Sequence, residues 1–230
     1  MSLPSSFLAH LRSGPYHPRS DKHSNALAEA IVADLVAHCE RLASRAASGK
    51  LVWDTNFNLK YGTATWNTDL VIGEPPPGAG APVDVPIRQS PPSSVHIAVE
   101  IKGVMTEHRK AIKNRKRDLE SHHAHVHGYN PSAIAGGVLV VNIAERFRSP
   151  LRPQGDITKH KNPKALVAHC VNEAQAISVS GGPGGNGLDA KCVIVVDTDN
   201  INHAAAGFFE QPPAPAIGDP MHYDAFIQRL

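Results

Sequence analysis

Apolar residues from about position 24 to 47 recur at helical spacing. Leu27, Ile31, Leu35 and Leu42 mark one face, with Ala28, Val32 and Val36 beside them. Ser20, Asp21 or Ser24 can cap this helix, and Gly49 can stop it. The preceding residues 1–20 read as an irregular arm. After Gly49 the period shortens. Leu51-Val52-Trp53 and Phe57-Asn58-Leu59 predict one strand or two short ones, and Trp66 to Ile72 predicts another that Gly73 ends. Residues 74–94 are rich in Pro, Gly and Ser and read as a loop inserted between strands.

Val95 to Lys102 predicts a central strand with Val95, Ile97, Val99 and Ile101 on one face and His96, Ala98, Glu100 and Lys102 on the other. A charged helix follows over 105–126, ended before Pro131. Val138 to Ile143 is apolar throughout, as in a strand buried on both faces. A helix over 163–179, a flexible loop at Gly181–Gly185, a buried strand from Cys192 to Val196 and a proline-bearing tail from about 203 complete the pattern. The tail leaves room for a short terminal helix. This order predicts one α/β domain over 1–230: a mixed central β-sheet flanked by helices, an insertion at about 74–94, and a C-terminal extension from about 203.

Composition refines this little. The chain has 230 residues, enough for one sizeable core, and its net charge of +2 neither implies nor excludes a nucleic-acid partner. The three cysteines, Cys39, Cys170 and Cys192, are widely spaced, which predicts reduced, buried thiols rather than a disulfide or zinc framework. Prolines and charges interrupt the N-terminus, and no apolar run is long enough to span a bilayer. The expectation is a cytoplasmic protein that does not engage membrane.

The chemistry lies on the 95–102 strand. Glu100 and Lys102 leave the same face, and two charges on a buried strand are costly unless paired or bound to metal. If the Trp66–Ile72 strand is a neighbour, Asp69 approaches Glu100. Two converging carboxylates, with the Ile101 carbonyl as a further ligand, suit Mg2+. A lysine beside them can orient or help deprotonate water, and such a site suits phosphodiester hydrolysis.

Asp69, followed after 30 residues by Glu100-Ile101-Lys102, resembles the PD-(D/E)xK nuclease superfamily, which includes most type II restriction endonucleases. The resemblance covers residues 24–143. It implies a restriction-endonuclease-like core and catalytic roles for Asp69, Glu100 and Lys102. It also makes Glu29 an auxiliary acid, although a solvated or capping glutamate fits equally. Thr68 stands where the superfamily often has proline. Asp84, within Pro82-Val83-Asp84-Val85-Pro86, competes for the first acid, but its prolines fit a loop better than a strand.

Arg109, Lys113, Lys116 and Arg117 form a stripe on the following helix that suits a DNA backbone; a solvated charged face is the alternative. His122, His123, His125 and His127 raise a zinc site, but no HExxH-type motif accompanies them, and histidines also suit a helix C-terminus. Gly181–Gly187 lacks the Lys-Ser/Thr of a P-loop. Asp197 and Asp199 read as turn or capping residues. The expected activity is Mg2+-dependent cleavage of double-stranded DNA, with Mn2+ as a substitute, by a homodimeric type II restriction enzyme. Another nuclease of the same fold and a non-catalytic DNA-binding module are the alternatives.

Overall fold

The computed structural model describes residues 3–153, 155–181 and 185–230. Gly182 and Gly184 of the glycine-rich loop lie outside the described residues.

The N-terminal arm is not wholly irregular. Helix α1 spans Ser5–Ser13 and buries Phe7 and Leu11, one turn apart. The next helical stretch divides in two, α2 at Lys22–His38 and α3 at Glu40–Ala47, because Cys39 is extended (φ −120°, ψ 97°). Ser20 accepts the Lys22 N–H at 3.3 Å, while Asp21 makes no side-chain cap.

Strand β1 (Val52–Tyr61) is continuous and pairs antiparallel with β2 (Ala64–Glu74). β2 runs past Gly73, which occupies a register shift against the strand β4 (Ser94–Val104). A Cβ on Gly73 would stand 1.7 Å from the Ser94 carbonyl oxygen, so only glycine fits there. The 74–94 segment contains one short strand, β3 (Arg88–Gln89), parallel to β1 at the sheet edge.

β4, β5 (Ile134–Asn142) and β8 (Ala190–Asp197) run parallel, linked by the crossover helices α4 (His108–Tyr129) and α5 (Pro163–Gln175). Between β5 and α5, the hairpin β6 (Arg146–Arg148) and β7 (Ile157–Lys159) stands apart from the main sheet. The sheet order is β3-β1-β2-β4-β5-β8-β9, where β9 is Gly207–Phe208. It is therefore a seven-stranded mixed sheet with helices on both faces.

One face carries α1, α2 and the terminal helix α6 (Tyr223–Arg229), packed on Val99, Ile101, Val138, Val140, Cys192 and Ile194. The other carries α4 and α5, packed on Leu139, Val141, Val193 and Val195. Both faces of β5 and β8 are thus covered, which is why their sequences are apolar without alternation. The C-terminal segment belongs to this core: Tyr223 and Phe226 are fully buried, and Tyr223 donates to Asp34 Oδ2 at 2.7 Å. Cys170 and Cys192 are buried as expected, but Cys39, at the α2–α3 break, is exposed. Among the described residues no helix is long and apolar enough to cross a membrane.

One buried cation locks α5 to the sheet. Lys191 Nζ donates to the carbonyls of Ala174, Gln175 and Ile177 at 2.9, 2.7 and 2.5 Å. Ala174 and Gln175 end α5 and Ile177 follows it; Ala174 also accepts the Ile177 N–H at 3.2 Å, and the cation suits the negative end of the helix dipole. Lys191→Met removes the ammonium donor from the Gln175 and Ile177 carbonyls. Urea unfolding is expected to show a loss of about 2 kcal/mol or more; a change below about 0.5 kcal/mol would mean that water replaces the ammonium.

Candidate active site

The β2–β4 ladder ends where Leu70 faces Val99. Beyond that point side chains take over from backbone. Thr68 Oγ1 donates to the Val99 carbonyl at 3.1 Å, and Asp69 Oδ2 accepts the Ile101 N–H at 2.8 Å. On the other edge of β2, Thr55 pairs with Leu70 and Phe57 with Thr68. Asn56, opposite Asp69, is left out of the ladder in the left-handed conformation, with φ 53°. Asparagine tolerates that conformation better than most residues. Asp69 therefore occupies the point where both ladders of its strand are interrupted.

Asp69, Glu100 and Lys102 come together here. Lys102 Nζ makes a close ion pair with Glu100 Oε1 and lies 3.9 Å from Asp69 Oδ2. The Glu100 side chain is only 3% exposed. Burial pushes its carboxyl up to about 7, and the Asp69 charge adds to this, while Lys102 and the nearby Trp66 indole oppose it. Trp66 Nε1 and Glu100 Oε2 nevertheless complete no hydrogen bond. Burial also raises Asp69, against the pull of Lys102 and the Ile101 N–H.

Behind Glu100 stands His122, fully buried on α4. Its Nε2 bonds the Ala98 carbonyl at 3.2 Å, which assigns the ring proton to Nε2 and directs the Nδ1 lone pair to within 3.8 Å of Glu100 Oε2. The other histidines of the cluster diverge. His125 stacks on Trp66 at 4.6 Å, His127 pairs with Asp189 at 3.0 Å, and His123 accepts the Gly187 N–H at 3.4 Å. Separate partners hold the four rings, and among the described residues no three acidic, His or Cys side chains form a ligand group.

In front of the acids lies a cleft of about 490 Å3 floored by Asp69, Ile101 and Lys102. Its walls are the 16–24 segment, the first turns of α4, and Phe147, Ser149 and Leu151 of the hairpin region. Glu100 lies beneath Lys102 rather than on the cleft surface.

The other expected residues fall elsewhere. Glu29 is exposed on α2 and does not line the cleft; Asp21 and Ser24, at the start of that helix, do. Asp84 is exposed in the loop before β3. Arg109, Lys113 and Arg117 are exposed, and Lys116 pairs with Glu173 at 3.0 Å. The wall of α4 that faces the cleft is Glu107, Lys110, Ala111, Asn114 and Arg115. At about 100° per residue, the expected stripe points well away from that wall. Lys110 and Arg115 were findable only by knowing which face α4 buries. Asp199 accepts the Ile201 and Asn202 N–H groups at 2.8 and 2.9 Å, a turn role.

No protein-family model, curated protein or solved structure matches the chain.

His122 gives a pH test. Burial depresses its ring from 6.5 to about 3. At pH 5 the unfolded chain binds a proton there that the folded ring refuses, so His122 withdraws stability as pH falls below about 6.5. The raised carboxyls Glu100 and Asp69 act in the opposite sense, so the comparison is with a variant. Between about pH 7.5 and 5, the parent is expected to lose roughly 2 kcal/mol more unfolding free energy than His122→Asn. Parallel losses would show that the ring protonates in the fold.

Proposed function

We propose that the chain is a Mg2+-dependent endonuclease of double-stranded DNA with a restriction-endonuclease-like core, most like a type II restriction enzyme. The observation that carries this reading is the convergence of Asp69, Glu100 and Lys102 at the interrupted end of β2, beside a cleft of about 490 Å3. Two carboxylates and a lysine are the groups that phosphodiester hydrolysis with a hard cation requires.

The donor set fits a divalent cation. Glu100 Oε2 is a buried oxygen without a hydrogen-bond partner, and an ammonium already draws the two acids together. Asp69, Glu100 and the Ile101 carbonyl would hold Mg2+, with Mn2+ as a substitute. When bound, the ion supplies charge for the phosphate oxygens and lowers the pKa of bound water.

The chain's own groups do the rest. The Ile101 N–H fixes Asp69 through Oδ2. Burial holds Glu100 in place and excludes competing water. Lys102, beside both carboxylates, would orient the attacking water and favour its deprotonated form. A second copy of the chain would cut the opposite strand, which fits the homodimer expected of a symmetric recognition site.

The test is a plasmid digest. Cleavage is expected with Mg2+ or Mn2+, abolished by EDTA, and at least about 100-fold slower in Asp69→Ala and Lys102→Ala. Discrete fragments with common ends support a restriction enzyme, whereas a smear supports another nuclease of the same fold. Absence of cleavage despite tight duplex binding would replace the enzyme with a DNA-binding module.

A further inference from the structure

The cleft wall holds two hydrogen-bond donors that the fold does not use. The first is the Tyr16 hydroxyl. The Tyr16 backbone is held at both ends, its N–H donating to Asn200 Oδ1 at 2.7 Å and its carbonyl accepting from Asn200 Nδ2 at 3.0 Å. Its ring stacks on His23 with centroids 4.2 Å apart and meets the Phe147 ring edge-on at 6.4 Å. The hydroxyl rests over Gly103, where a Cβ would stand 2.5 Å from it. It makes no hydrogen bond to a described residue. The anchoring of this segment therefore uses the backbone and the ring, and leaves the oxygen idle.

The second donor is Arg115 Nε, on the cleft-facing side of α4. This nitrogen is buried and unpartnered, while Nη1 of the same side chain pairs with Asp118 at 3.2 Å. The ion pair engages Nη1, and the side chain as a whole is 38% exposed on the cleft wall. The Tyr16 phenol lies within electrostatic reach of both Arg115 and Asp69. Tyr16, Arg115, Asp69 and Lys102 all line the one cleft.

Two preorganised donors, one neutral and one cationic, next to a pair of carboxylates suit an anion that must approach those carboxylates. We propose that Tyr16 Oη and the Arg115 guanidinium bind the non-bridging oxygens of the DNA phosphate presented to Asp69, Glu100 and Lys102. This rests on the nuclease reading. Gly103 serves the same end by leaving room for the tyrosine tip.

The test uses the full chain, a duplex substrate and Mg2+ under single-turnover conditions. Tyr16→Phe keeps the ring stack and removes only the oxygen. It is expected to cleave at least about tenfold more slowly, with an unchanged thermal midpoint. Arg115→Gln is expected to slow cleavage by a similar or larger factor. The double variant should be slowed by less than the product of the single effects, because both donors hold one phosphate. Gly103→Ala, which displaces the tyrosine tip, should resemble Tyr16→Phe. Inorganic phosphate should inhibit the parent more strongly than either single variant.

Cleavage within twofold of the parent by both Tyr16→Phe and Arg115→Gln overturns the phosphate clamp and leaves the nuclease reading standing. Independent, fully multiplying effects also overturn it. If the parent itself does not cut, the reading and the clamp fall together.

Discussion

Lys102 carries the electrostatic burden of the site. Two carboxylates on neighbouring strands, both withdrawn from water, repel each other and resist ionisation. A single ammonium lies within ion-pair distance of both. The strands around it are arranged to permit this. β4 gives its Ile97, Val99 and Ile101 face to the core below α2, while its other face ends in Glu100 and Lys102. Lys102 offsets one of the two carboxylate charges, and the burial that raises both acids lessens the cost of the other.

The interruption at Asp69 follows from the same need. A regular ladder would bind the Ile101 N–H to backbone and hold β2 close along its whole length. Here the strand releases that donor to a side chain, and Asn56 accommodates the irregularity from the other edge in a conformation few residues accept. The cleft opens where pairing stops. The N-terminal segment and α4 then wall it from two sides.

Much of this was legible in the chain. Strand alternation places Glu100 and Lys102 together, and the unbroken apolar runs of β5 and β8 announce a sheet covered on both faces. Asp69 was legible as part of a strand, whereas its pairing with Glu100 required the β2–β4 register. Other features depended on long-range contacts. The first helix is short, and its Phe7–Leu11 pair gains meaning only against α2. The wall of α4 was not legible, because charge spacing shows where cations align, not which way a helix turns. Glu29 shares α2 with the residues that line the cleft, yet its side chain points to solvent. Lys191 stands just before the apolar run Cys192–Val196, and its partners at the end of α5 come only with the fold.

The clasp between Tyr16 and Asn200 joins positions 184 residues apart. Its meaning is temporal as well as spatial. During synthesis the Tyr16 ring can meet His23 and later Phe147, but its backbone clasp waits for the segment after β8. Contacts of such separation close late, since a long loop must be ordered before they are gained. A nascent or truncated chain ending before Asn200 would carry Asp69, Glu100 and Lys102 without the clasp that ties the Tyr16 wall to the far end of the fold.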